Sequence, residues 1–283
     1  MSKFFNETQK ANQWAQQKLA NQDLDVKEML ESLKRGAASG VPAADTSLSQ
    51  CRQVHVGNGY APRLVLDQGA ASRAALEAYR GLRTRLMRTQ AKTGLKSIAI
   101  TSSLPGEGKT LTTMNLGLCY AQLPQQRVLV IDADLRTCGL TSMLDHPSTP
   151  GLAEVLAGDV SPDEAIVATN QKNLFVLPAG TVSSSPPELF IGTRWQEFME
   201  HCSGLFKVVI IDTPPILPLS DFELISAACD GVVMVVRAHH GQRETLQKTA
   251  GALDPKKLLG VVFNATDVTG KDYYGYGYGS GKS

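Results

Sequence analysis

Residues Ser97–Thr110 read SIAITSSLPGEGKT, and Leu111–Ala121 behind them carries apolar residues at helical spacing. An apolar run, a glycine-bearing loop and a helix in immediate succession place the loop between a strand and a helix N-terminus. The loop is close to G-x-x-x-x-G-K-[ST], with Ser103 in place of the first glycine. Gly106 and Gly108 let successive backbone amides close around a polyphosphate, and the positive end of the following helix adds to the same field. Lys109 is placed to reach the β- and γ-phosphates, and the Thr110 hydroxyl to ligate Mg²⁺. Pro105, Gly106, Glu107, Gly108, Lys109, Thr110 and Leu111 are therefore the expected nucleotide-binding residues.

Outward from this loop, short β-rich runs recur at Ser97–Thr101, Val128–Ile131, Leu174–Leu177, Val208–Ile211, Val232–Val236 and Leu259–Phe263. Helical spacing fills most of the gaps, as at Ala153–Leu156, Trp195–Cys202 and Leu224–Ala228. Continuous apolar strands separated by helices predict an α/β fold: a doubly wound, mostly parallel sheet with helices on both faces. Two of the strands end in acids. Val128–Ile131 runs into Asp132-Ala-Asp134-Leu-Arg136, and Val208–Ile211 into Asp212-Thr-Pro-Pro215. In a parallel sheet the carboxyl ends share one edge, so these acids are expected to converge on the phosphate loop. Asp212 and Asp132 are then available to hold Mg²⁺ or its water, and Asp134 to reach an incoming nucleophile. Hydrolysis or transfer of ATP or GTP is the expected chemistry.

Composition narrows the classes further. Lys and Arg number 28 against 27 Asp and Glu, a formal net charge of +1, so no global field favours nucleic acid or an anionic membrane. The five cysteines, Cys51, Cys119, Cys138, Cys202 and Cys229, are scattered, with neither C-x-x-C pairing nor metal-type spacing to His. No apolar run approaches the roughly 18–20 residues that span a bilayer, and the N-terminus lacks the apolar core of a secretory signal. Three zones follow from the patterning. Residues 1–71 are expected to be a helical leader (Val26, Met29, Leu30 and Leu33 on one face) followed by a flexible linker. Residues 72–268 form the nucleotide-binding domain, and residues 269–283 a tail in which glycine alternates with Tyr273, Tyr274, Tyr276 and Tyr278.

These residues resemble the bacterial tyrosine autokinases (BY-kinases) of capsule and exopolysaccharide synthesis, cytoplasmic P-loop kinases with a MinD/ParA-like fold that partner membrane polysaccharide co-polymerases. The resemblance spans about Ala74 to Tyr278. It rests on Pro105–Thr110 as Walker A, Val130–Arg136 as the second Walker motif (A′) and Val209–Pro215 as Walker B. It implies ATP and Mg²⁺ as cofactors, and a catalytic set of Lys109, Asp132, Asp134 and Asp212, with the metal at Thr110, Asp132 and Asp212. Glu77, Arg80 and Arg83 match the E-x-x-R-x-x-R motif through which these kinases form homo-oligomeric rings, beside an apolar flank of Leu76, Tyr79, Leu82 and Leu86. The tail tyrosines match the cluster that the family phosphorylates in trans. Asn264 stands where relatives contact the adenine. The resemblance also implies a membrane co-polymerase that activates the kinase, at the inner face of the plasma membrane, and no transmembrane segment in this chain.

The chain departs from the family pattern in two places. Thr137-Cys138-Gly139 follows Arg136 where a proline is usual, and Ser185-Pro186-Pro187 stands where an Asn-Pro is usual. A MinD/ParA-type reading differs in class: an ATPase switch or scaffold that modifies nothing. Those ATPases carry a signature lysine at the position of Leu104, and this residue and the tyrosine tail separate the two readings in favour of the kinase. A third reading, an inactive ATP-binding regulator, is separated by ATP turnover.

Overall fold

The structure is a computed structural model that describes residues 48, 51–56, 64, 70–145, 150–181, 185–217, 221–238, 240 and 243–265. The expected leader helix and the four tail tyrosines lie outside the described residues. In chain order the elements are β1 (Gln53–Val54), α1 (Ala70–Thr93), β2 (Ser97–Ser102), α2 (Lys109–Ala121), β3 (Val128–Asp132), α3 (Leu152–Ala157), α4 (Pro162–Ala165), β4 (Val167–Thr169), β5 (Leu174–Leu177), α5 (Pro186–Leu189), α6 (Arg194–Leu205), β6 (Val208–Asp212), α7 (Asp221–Ala227), β7 (Gly231–Arg237), α8 (Arg243–Ala252) and β8 (Leu258–Asn264). A 3₁₀ turn covers Thr141–Met143.

The strands form one sheet in the order β1-β4-β5-β3-β6-β2-β7-β8. From β5 to β8 every pairing is parallel, as the continuous apolar runs predict. β2 lies where the strand order reverses: the chain runs from it toward β3 and β5 on one side and later to β7 and β8 on the other. A ligand crevice opens at such a point, beyond the carboxyl ends of the strands. Helices cover both faces. On one, Leu86, Met114, Leu116 and Leu118 of α1 and α2 pack on Ile98, Ile100, Val130 and Ile210. On the other, Trp195, Phe198, Met199 and Ile225 of α6 and α7 pack on Ala99, Ile131 and Ile211. Trp195 joins α6 to α7 by donating its indole N–H to the Ile225 carbonyl at 3.0 Å, and its ring lies edge-on to Phe190.

Two differences from the sequence reading concern the sheet's far edge. Gln53–Val54, inside the stretch expected to be linker, forms β1 and pairs with β4, while Val54, Val56 and Leu64 are buried in the α1–α2 core. β4 pairs antiparallel with β5. Strands of two and three residues are too short for any periodicity to show. Among the described residues no helix is long and apolar enough to cross a membrane.

Gly117 is where α2 approaches the sheet: a Cβ there would lie 2.6 Å from Val130 Cγ2. Gly117→Leu is therefore expected to destabilise the chain by about 1–3 kcal/mol through overpacking. In urea unfolding the midpoint should fall with an unchanged slope; an unchanged midpoint would contradict this packing.

Candidate active site

The loop after β2 turns through left-handed glycines, Gly106 at φ +81° and Gly108 at φ +93°, a region that other residues enter only with strain. Lys109 then opens α2. Its ammonium, 8% exposed as a residue, lies 2.7 Å from Asp134 Oδ2 and 3.3 Å from Thr110 Oγ1. The loop after β3 comes close on the other side: a Cβ at Gly139 would sit 3.4 Å from Thr110 Oγ1.

β3 and β6 are neighbours, and their register sets Asp132 directly beside Asp212, both with no exposed surface. Asp132 Oδ2 accepts from the Thr141 amide at 2.8 Å and the Thr141 hydroxyl at 2.7 Å. Asp212 Oδ1 accepts from Thr113 Oγ1 at 3.4 Å. The remaining oxygens, Asp132 Oδ1 and Asp212 Oδ2, are buried and find no hydrogen-bond partner among the described residues. Orphaned anionic oxygens in a dry setting are costly unless a cation completes them, so this donor set fits Mg²⁺. Among the described residues no cluster of three or more His, Cys, Asp or Glu has metal-holding geometry.

The electrostatics follow from burial. Desolvation pushes the Asp132 carboxyl up to about 6, against the two Thr141 hydrogen bonds that pull it down. Desolvation pushes Asp212 up to about 7, the Lys109 charge pulling down and Asp132 pushing up. Burial disfavours the Lys109 ammonium, but Asp212, Asp134 and Asp132 outweigh it and hold the lysine above its ordinary value.

The structure thus brings Lys109, Thr110, Asp132, Asp134 and Asp212 together at one end of the sheet. Glu77 and Arg80 are exposed and paired with each other at 2.7 Å, whereas Arg83 turns inward and donates to the Cys119 carbonyl at 2.6 Å, holding α1 to α2. Asn264 packs on the phosphate loop, its Nδ2 donating to the Glu107 carbonyl at 2.9 Å. Cys138, in the segment after Arg136 that departs from the family pattern, has φ +48°, a value that a proline ring cannot adopt. Sequence reasoning missed Thr141, Thr113 and Asp221. Asp221, 2% exposed, takes Arg136 in a fork, with Nε at 2.9 Å and the second contact at 3.3 Å, which ties the loop after β3 to α7. None of the three sits at a motif spacing, and an acid at a helix start, as Asp221 is, is too ordinary to single it out.

Because both acids hold their protons more tightly folded than unfolded, their joint contribution to stability is fully present below about pH 4, the ordinary carboxyl value. It is lost as pH rises through about 6 and about 7. Asp212→Asn removes one ionising partner, so without nucleotide or Mg²⁺ its melting temperature should exceed wild type at pH 8 and approach it at pH 5. A variant less stable than wild type at pH 8 would contradict the strained acid pair.

Comparison with known proteins agrees with this geometry. A family model described as an AAA domain matches residues 95–251. Tyrosine-protein kinase YwqD of Bacillus subtilis (strain 168) is 35% identical over 206 residues, covering 72% of this chain and 86% of that one. The chimerical protein CapA2B2 superposes with a TM-score of 0.66 at 27% identity, over 77% of this chain and 96% of the other. The kinase domain of Escherichia coli tyrosine kinase ETK gives 0.65 at 29% identity, over 73% and 81%. With its phosphate loop, its doubled acidic strand ends and these relatives, the chain belongs to the bacterial tyrosine-protein kinase (BY-kinase) family, P-loop enzymes of the AAA domain class.

Proposed function

We propose that the chain is an ATP-dependent tyrosine autokinase that phosphorylates Tyr273, Tyr274, Tyr276 and Tyr278 of a neighbouring copy and thereby regulates polysaccharide polymerisation and export. The observation that carries this reading is the convergence of Lys109, Asp132, Asp134 and Asp212 within one crevice beyond β2, β3 and β6.

The P-loop amides and Lys109 bind and orient the triphosphate, which places the γ-phosphorus for in-line attack. Thr110, Asp132 and Asp212 would hold Mg²⁺, which when bound would neutralise the phosphate charge. Lys109 Nζ, 2.7 Å from Asp134, can exchange that carboxylate for a phosphate oxygen. Asp134 is then free to orient a phenol and take its proton, which a tyrosine with an ordinary pKa near 10 needs to lose. The bond from the γ-phosphorus to the bridging oxygen breaks, a bond to the tyrosine oxygen forms, and ADP leaves. Glycine spacers in the tail let successive tyrosines reach the site of a neighbour.

Each phosphotyrosine adds roughly −1.5 to −2 charges, so a fully modified cluster repels its copies within a ring and favours dispersal. Glu77 and Arg80, exposed on α1, are available to a ring contact; Arg83 would support it from beneath, through its hold on α2. That one similar structure is a chimerical protein supports a kinase that works against a second polypeptide. We take this to be a membrane co-polymerase whose cytoplasmic end activates the kinase at the inner face of the plasma membrane.

Incubation with Mg²⁺-ATP and mass spectrometry of the tail is expected to find phosphate on the cluster. Lys109→Ala should lose it by a hundredfold or more on the order expected for removing a phosphate-positioning charge, and so should the chain with all four tail tyrosines changed to Phe. ATP turnover without phosphotyrosine would favour the ATPase switch instead.

A further inference from the structure

Both polar ends of the Asn264 carboxamide are engaged by the chain itself. Nδ2 donates to the Glu107 carbonyl at 2.9 Å, and Oδ1 accepts from the Ala265 amide at 2.9 Å. Arg237, at the end of β7, grips the preceding peptide: its guanidinium donates to the Gly106 carbonyl at 3.2 Å. Glu107 closes the set from within. Its buried carboxylate accepts from the Leu104 amide at 2.8 Å and the Arg237 amide at 3.4 Å. β7 and β8 are themselves locked at this point by Ala238 N–H donating to the Asn264 carbonyl at 2.9 Å. The fit leaves no spare room, since a Cβ at Gly108 would collide with the Asn264 amide.

In a trans peptide the carbonyl and the following N–H point opposite ways. Arg237 holding the Gly106 oxygen therefore turns the Glu107 N–H to the other side, and Asn264 holding the Glu107 oxygen does the same for the Gly108 N–H. A loop with left-handed glycines on both sides of Glu107 has little stiffness of its own. Anion binding by such amides depends on their being aimed in advance. We infer that Asn264 and Arg237 are positioning residues that fix two successive peptide units of the phosphate loop from outside, so that the contribution of Asn264 to nucleotide binding includes its hold on the phosphate-binding amides.

This rests on the nucleotide-binding reading of the loop, and the experiment separates the two. Affinities for Mg²⁺-ATP and for Mg²⁺-tripolyphosphate, which has no base, are measured by displacement of a fluorescent ATP analogue. Wild type, Asn264→Asp, Arg237→Ala and Arg237→Lys are compared. Loss of one buried donor corresponds to on the order of tenfold. Asn264→Asp and Arg237→Ala should each weaken tripolyphosphate as well as ATP by a factor of about that size, with Arg237→Lys recovering most of the loss because it retains a donor. Weakening of ATP alone in Asn264→Asp, or no change in either ligand, would overturn the inference while leaving the site intact. A wild-type chain that binds neither ligand would overturn both, and one that binds ATP but not tripolyphosphate would overturn the inference. If Asn264→Asp does not fold, the Arg237 pair carries the same comparison.

Discussion

Two carboxylates set side by side in a dry sheet govern the rest of this molecule. Asp132 and Asp212 have no exposed surface and occupy the same register on adjacent strands. Like charges in that position are tolerated only if something answers them. The chain answers with Lys109, with the Thr141 and Thr113 hydroxyls, and with two oxygens left over for a cation. The strand order makes the arrangement possible: β6 inserts between β2 and β3, so the ends of three strands distant in sequence become one ledge.

Around that ledge the loops are held by side chains from other elements of the fold. Arg136 and Asp221 tie the loop after β3 to α7, and Asn264, Arg237 and Glu107 tie the phosphate loop to the ends of β7 and β8. Arg83 ties α1 to the last turn of α2, and α2 starts at Lys109. Irregular backbone is thereby fixed from several directions, which is what pre-aimed amides and carboxylates require.

Legibility in the sequence tracked how strongly a physical rule constrains its residues. The central strands were plain because burial on both faces demands unbroken apolar runs such as Val208–Ile211, and the phosphate loop because its chemistry fixes both residue type and spacing. Asp132, Asp134 and Asp212 followed from a topological rule about strand ends. β1 and β4 stayed hidden, because two or three residues cannot display a period. Thr141 was invisible for a different reason. It stands nine residues from Asp132 in a 3₁₀ turn, and a hydroxyl recruited to quench a buried acid obeys no spacing. The inward turn of Arg83 could not be read from a helical wheel that groups it with Glu77 and Arg80, because the free carbonyl of Cys119 belongs to another element.

The account depends most on the claim that the orphaned oxygens of Asp132 and Asp212 complete a divalent cation beside a nucleotide. Electron paramagnetic resonance of Mn²⁺ titrated into the full chain with ADP tests that directly. One Mn²⁺ per chain should bind, more tightly with nucleotide than without, attenuating the free-ion signal, and that attenuation should be lost when both acids are changed to Asn. Undiminished Mn²⁺ binding by the double variant, or none by the wild-type chain, would contradict it.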